Sequence, residues 1–574
     1  MKIIKNIKTK IFFFALVGAT IVSCTDYLNV DKDTDNPKVV SFASLLSSTQ
    51  VDLSQVGDFY VYGGANLEVY VHQMCDRGTS DQYATKPDDG NVSNDWNLLY
   101  KAVRDINNLI KQGTQAGNLV YVGIAQIQKA YLMSVAVDLW GDVPYTEAGL
   151  ADENIISPVF DNQKFVYEEI FKLLNLGKLN VVSGKGLELP LADDLIYGGD
   201  AIKWNKFANT FKLKLYNQLK NTSDFDNVGF NNLVALPPSE FMESSSDDFQ
   251  FIQTSVTSTD LSGNERNRFY VESYNSTQFG SYISPWFYEI LKGVNPSIHK
   301  LNPDPRMKYM IFNQIKAGVL PPVRAGLDPK ADYWDKASGF FSIRFGSTGP
   351  NRDQAAETSY SYPGIFPAGG RYDDGLGGNA KTLANCKGVA PRRILTYDEF
   401  LFVQAELILS GKISTGNAAT KLSDAITANF AKIDDVVTKG LAGGTSSQVV
   451  PKLIGSVNAS GFITKIGIEY AAATSAKKLE IIMTQKWVAT FGDAIDQYTD
   501  YRRTGYPVLA NPNSTTAEYQ LNNADAYPLN DAFTSFGGLT SYPQSLFWPQ
   551  RELNGNKNAP AQKQAVNYKI FWNL

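Results

Sequence analysis

Val120-Tyr121-Val122-Gly123-Ile124-Ala125-Gln126-Ile127-Gln128-Lys129-Ala130-Tyr131-Leu132-Met133-Ser134-Val135-Ala136-Val137-Asp138-Leu139-Trp140-Gly141-Asp142-Val143-Pro144-Tyr145 is the stretch that decides the fold. Ile124, Ile127, Tyr131 and Val135 recur at helical spacing. Gly141 and Pro144 then end the helix in a tight exit. Trp140 and Tyr145 are placed to plug the next helix pair, and Asp142 to cap the backbone that follows.

The same pattern extends outward. Trp204, Phe207, Ala208, Phe211, Leu215 and Leu219 form a second helical stripe, and Lys203, Lys206 and Lys214 on its other side read as a solvated face. Helical patterns return at Tyr397–Leu409, Ala418–Phe430 and Ala476–Thr490. Paired helices predict a mainly α scaffold of TPR-type helical hairpins, although the strict repeat of about 34 residues is absent. Between 235 and 395 the chain turns rich in Gly, Pro, Ser and Tyr, as it does again at 505–560. Loops of this length inside a folded body carry function or are ordered by packing. The expected organisation is a single body over 41–574. It comprises N-terminal helix pairs (41–234), a loop-rich insertion (235–395), and C-terminal helices and loops (396–574).

The N-terminal segment has its own logic. Lys2, Lys5, Lys8 and Lys10 precede an apolar run from Ile11 to Val22, and Ser23-Cys24 closes it. That is a secretory signal over residues 1–23, too short for a span of about 20 apolar residues. A cysteine at this point resembles a bacterial lipobox, whose thiol takes acyl chains such as palmitate. Multiple acyl chains give stable anchoring. Residues 24–40, with Asp26, Asp31, Asp33 and Asp35, read as an acidic tether.

Composition narrows the function. The chain is 43% hydrophobic and 19% charged, a globular balance, with a net charge of -5 and no basic block, which argues against a nucleic-acid partner. No stretch beyond the signal reads as a membrane span. Cys75 and Cys386 could pair or stand as two buried thiols. Two histidines, His72 and His299, offer no zinc spacing.

Three ordered stretches resemble the SusD/RagB family of outer-membrane nutrient-binding lipoproteins, and point to its SusD-like branch. They are Asp138 to Ala148; Asp194-Leu195-Ile196-Tyr197-Gly198-Gly199-Asp200 with Trp204 to Asn209; and Gln485 to Gly492 with Arg502-Arg503-Thr504-Gly505-Tyr506-Pro507. The resemblance implies helix pairs supporting a variable loop-rich face. It also implies an outer-membrane anchor through Cys24, a SusC-like TonB-dependent transporter as partner, and capture of oligosaccharides or peptides without catalysis or cofactor. The shared motifs themselves read as structural, with Arg502 and Arg503 expected to hold carboxylates or carbonyls across the scaffold.

A sugar site needs an aromatic platform and a polar rim. The family's ligand face draws on the segment Asp76 to Tyr83 and on mid-chain loops. The expected ligand-binding residues are therefore Tyr83, Tyr270, Tyr274, Trp286, Tyr333 and Trp334 for the platform, with Tyr282 a further candidate, and Asp76 and Arg77 at the rim. Trp96 reads as core, since Leu99, Tyr100 and Val103 follow it at helical spacing.

Asp31-Lys32-Asp33-Thr34-Asp35-Asn36 has the alternation of half a calcium loop, but Asn36 and Phe42 stand where Gly and Glu are needed, so no metal is expected. No Gly-x-Ser-x-Gly or Walker sequence is present, and Asp373-Asp374 reads as a solvated pair. A surface glycoside hydrolase, whose carboxylates meet only in the fold, and a TPR-type protein scaffold remain the alternatives to a binding lipoprotein.

Overall fold

The computed structural model describes residues 40–574 except 79, 84–85, 258–263, 276–279, 324–325, 329–330, 347–348, 353–358, 384–385, 444–447 and 510–541. At its centre lies helix α4, Leu119–Trp140, following α1 (Phe42–Gln55), α2 (Gly64–Tyr70) and α3 (Gly90–Ala116). α4 is buried on nearly every side. By length and composition it could cross a membrane, yet 89% of its most apolar window is covered by the protein, so it is a core helix. Two glycines set its approach to α5 (Gln163–Val182). A Cβ on Gly123 would sit 2.6 Å from both Gly177 O and Val181 N. Without side chains there, the two backbones touch.

Helix pairs build outward from this contact. α3 packs on α1 and α4, and α5 on α6 (Ala201–Leu219), which leads to α7 (Asn227–Val234). After α8 (Pro285–Lys292) in the insertion, α9 (Tyr397–Leu409) packs against α10 (Ala418–Gly443) and α12 (Ser475–Ala489). α11 (Val457–Ala472) covers α10, and α13 (Ala494–Thr504) returns to α2. The mainly α, helical-hairpin scaffold expected from the periodicity is what the chain forms.

Two of the three lysines expected on a solvated face of α6 are not solvated, while Lys203 stays partly exposed. Lys206 and Lys214 are buried. Lys206 meets Glu243 at 2.6 Å and Asp247 at 3.2 Å, while Lys214 meets Asp496 and, at 3.4 Å, Glu399. These form part of a charge network between the chain's two halves: Lys486 pairs with Glu399 (3.3 Å) and Asp500 (2.7 Å). Glu406 lies between Lys220 and Arg503.

Four two-stranded antiparallel ladders lie among the described residues. β2 (Phe249–Phe251) pairs with β8 (Arg392–Leu395), so the insertion leaves and re-enters the scaffold at one place. Inside it, β4 (Ile311–Phe312) pairs with β7 (Tyr362–Pro363), and β5 (Asp332–Asp335) with β6 (Phe340–Ile343). β1 (Met74–Asp76) pairs with β3 (Ser281–Ile283), placing Asp76 opposite Ser281. Cys75 and Cys386 are separate buried thiols.

Candidate ligand-binding cleft

The β1–β3 ladder joins the N-terminal segment to the insertion. Arg77 N extends it by donating to Gly280 O at 2.8 Å. Phe59 stacks on Phe269 with ring centroids 3.9 Å apart. From the insertion, the Arg352 guanidinium reaches both Asp81 oxygens at 2.8 and 2.9 Å and the carbonyls of Gly78 and Arg77 at 2.5 and 3.2 Å. These contacts frame a cleft of about 390 Å³ lined by Tyr60, Asn66, Asp76, Asp89, Asn91 and Glu272.

Its polar rim is preset. Asp89 caps α3 by accepting from Val92 N at 3.1 Å, and its other oxygen accepts from Asn66 Nδ2 at 3.1 Å. Asn91 Nδ2 in turn donates to Asn66 Oδ1 at 3.0 Å. Burial pushes the Glu272 carboxyl up to about 7, partly offset by the Gly280 N–H, with Asp76 adding to the rise. A half-exposed tyrosine ring beside fixed amides and carboxyls suits a ligand with apolar faces and hydroxyl edges.

Of the expected site residues, Asp76 lines this cleft and Arg77 sits half-buried beside it. The expected platform is different: six of its seven rings are spent on protein contacts. Tyr83 is buried with its hydroxyl 2.6 Å from His72 Nε2. Tyr270 stacks on Tyr274 at 4.9 Å, and Tyr274 Oη donates to Pro363 O at 2.5 Å. Tyr282 Oη donates to Arg352 O at 3.1 Å, and the buried Tyr333 hydroxyl donates to Glu289. Trp286 is buried with Nε1 on Val508 O at 3.2 Å. Trp334, on β5 opposite Phe341, also packs against the core but is only half-buried. The physical reason is that an insertion without long helices still needs a core, and tyrosine and tryptophan supply it. Tyr60, Asn66, Asp89, Asn91 and Glu272 line the cleft without having been expected there from the sequence.

Cys24, the tether through residue 39 and Asp31–Asn36 lie outside the described residues. Trp96 is core, edge-on to Trp140 at 5.3 Å. The family motifs hold the scaffold. Asp138 accepts from Tyr167 Oη (2.5 Å), Trp572 Nε1 (2.8 Å) and Gln218 Nε2 (3.0 Å). Asp142 accepts from Gln163 N, the first residue of α5, at 2.9 Å. Asp194 accepts from Gly199 N and Trp204 Nε1, both at 2.8 Å. Arg502 takes carbonyls, those of Asp138 (2.7 Å) and Gln544 (2.9 Å), and Arg503 takes the carboxylates of Glu406 and Asp500.

Other acid groups have internal roles. Asp373 is buried and accepts from Asn313 Nδ2 at 2.7 Å, so it is not solvated as expected. Glu399, Asp493 and Asp496 bring oxygens within 4.8 Å of one another, but Lys214, Lys486 and Arg392 already neutralise them. His299 shares its ring nitrogens with Glu469 (2.8 Å) and Gln485 (3.0 Å) and faces no serine nucleophile among these partners.

Fold and cleft define a class: a helical-hairpin scaffold carrying a loop-built binding cleft. Residues 34–528 match the SusD-like family described as starch-binding and associating with outer membrane, and the chain belongs to that family. Solved structures agree on the fold. A SusD/RagB family protein from Bacteroides thetaiotaomicron VPI-5482 superposes with a TM-score of 0.62 at 20% identity, covering 91% of this chain and 95% of that one. A SusD homolog from Bacteroides fragilis NCTC 9343 gives 0.62 at 18% identity, with 93% and 99% covered. A chitin-binding SusD homolog from Flavobacterium johnsoniae gives 0.62 at 18% identity, with 93% and 98% covered. No curated protein matches the chain in sequence.

Proposed function

We propose that this protein captures an oligosaccharide in the cleft between its N-terminal segment and its insertion and hands it to a SusC-like TonB-dependent transporter. The observation that carries the reading is the β1–β3 ladder, which assembles the polar cleft of Tyr60, Asn66, Asp76 and Glu272 from segments some two hundred residues apart in a chain of this family. Asp76 and Arg77 serve the rim, and Tyr60 offers the accessible ring surface. Acyl chains on Cys24 hold the body at the outer membrane, facing outward. A peptide ligand would use the same amides and carboxyls.

Affinity electrophoresis in gels containing soluble starch or glycol chitin tests the reading. Retention of the native chain should fall at least tenfold for Tyr60→Ala and Asp76→Ala. Retention of neither glycan, or equal retention by both variants, refutes it. Cys24→Ala should keep its ligand but leave the membrane fraction.

One observation favours a second reading, a glycoside hydrolase: two carboxyls, Asp76 and Glu272, line one cleft, and Glu272 titrates near 7. New reducing ends that vanish in Glu272→Gln would support it.

A further inference from the structure

A second and larger cleft, about 630 Å³, opens between α5, α6 and α7. Phe171 and Tyr216 line it with ring centroids 4.8 Å apart, beside Leu233 and Leu236. Lys178 from α5 and Lys212 from α6 also line it. Lys178 Nζ donates to Asn209 Oδ1 at 2.5 Å, and Lys212 Nζ to Asn175 Oδ1 at 2.8 Å. Each helix thus contributes one Lys and one Asn three residues apart, crossing as reciprocal pairs. A neutral amide fills one of an ammonium's three donors and none of its charge.

The buried lysines elsewhere are held differently. Fully buried Lys206, Lys214, Lys220, Lys432 and Lys486 each reach a carboxylate. Lys563, the sixth, lies 4.4 Å from the ring centroids of both Trp548 and Tyr568. Lys178 and Lys212 form neither contact. Burial and then its neighbour Lys178 depress the Lys212 ammonium, with Asp226 opposing; burial depresses Lys178, with Glu240 opposing. The cleft's carboxylates are otherwise engaged. Asp224 pairs with Lys164 at 2.9 Å, and Asp226 caps α7 through Val228 N and Gly229 N, both at 3.0 Å. Glu168 stands about 15 Å back along α5 from Lys178.

We infer that this cleft is a binding site for a small amphipathic anion, its carboxylate or sulfate-type head between Lys178 and Lys212 and its apolar body on Phe171, Tyr216 and Leu233. Two like charges held half-buried with no carboxylate in salt-bridge contact are costly in an empty site and become favourable once an anion arrives. This site is separate from the cleft at Tyr60 and Asp76.

Calorimetric titration of the full-length chain with naphthalene-2-sulfonate, naphthalene-2-carboxylate and neutral 2-naphthol tests it. At least one anion should bind ten times more tightly than 2-naphthol, more weakly as sodium chloride is added, and the two anions rank the head group. Lys178→Met with Lys212→Met should lose at least tenfold in anion affinity without a lower melting temperature. If that pair fails to fold, Lys212→Gln alone should lose severalfold. Equal binding of 2-naphthol, no binding of either anion, or unchanged affinity in the lysine variants overturns the inference.

Discussion

Removing the Glu406 carboxylate should be among the most damaging single changes in the scaffold. Its side chain is 2% exposed and lies between the Lys220 ammonium and the Arg503 guanidinium, which are 6% and 3% exposed. Asn217 Nδ2 donates to it at 2.7 Å. Burial alone would raise its pKa, but Arg503 and Lys220 hold the carboxyl well below the usual range. Glu406→Ala leaves two buried cations without their shared counter-charge, a loss of about 3–5 kcal/mol. For a chain of this size, unfolding entropy is on the order of 1 kcal/mol per degree, so the melting temperature should drop by about 3–5 °C. The two cations are unequal. Burial pushes the Lys220 ammonium down to about 8, with Glu406 offsetting only part of the fall and Arg503 adding to it. Lys220→Met should therefore cost less than Arg503→Met. The pH signs follow. A depressed carboxyl contributes its full stability above its unfolded value of about 4.5 and loses it as pH falls further. A depressed lysine works oppositely, and stability is regained between about 8 and 10.5. Urea unfolding of the three variants across pH 3–10 measures all of this. A loss below about 1 kcal/mol for Glu406→Ala, or a greater loss for Lys220→Met than for Arg503→Met, would refute the reasoning.

Three further outcomes are expected. Gly123→Ala should destabilise by about 2–3 kcal/mol in chemical denaturation, because the new Cβ meets backbone atoms at 2.6 Å that have no room to withdraw. Glycan affinity should weaken as pH rises through about 7, where Glu272 gains a charge beneath the ligand, and Glu272→Gln should flatten the profile. Cys75 and Cys386, both buried with their thiols pushed up by burial, should resist an aromatic disulfide reagent in the native protein and react on unfolding.

How far the sequence could be read depended on the range of each interaction. The α4 stripe ends at Trp140, and its Gly141 stop was legible because periodicity and helix exits are local. The α6 lysines were misread for the complementary reason: the partner of Lys214 lies 282 residues away, and nothing near Lys214 announces it. In the cleft, Asp76 was reached only through the family resemblance, and its facing residues depend on a pairing such as Cys75 with Tyr282 that no local pattern reveals. The insertion's tyrosines misled because a ring that fills a loop core and a ring that greets a sugar have the same composition. Only burial separates Tyr333 from Trp334, adjacent on one strand.

The Asp138 cluster has a consequence for how the chain is made. Trp572 reaches Asp138 from 434 residues downstream, and Arg502 reaches its carbonyl from 364. Until Trp572 leaves the ribosome, the Asp138 carboxylate at the end of the central helix lacks one of its three donors. Such late closure raises contact order and prolongs exposure of apolar helices. Truncation before Trp572 should therefore destabilise the central helix end, read as a lower melting temperature. A tag that pulls Trp572 from its seat would harm the fold more than one placed at the opposite terminus.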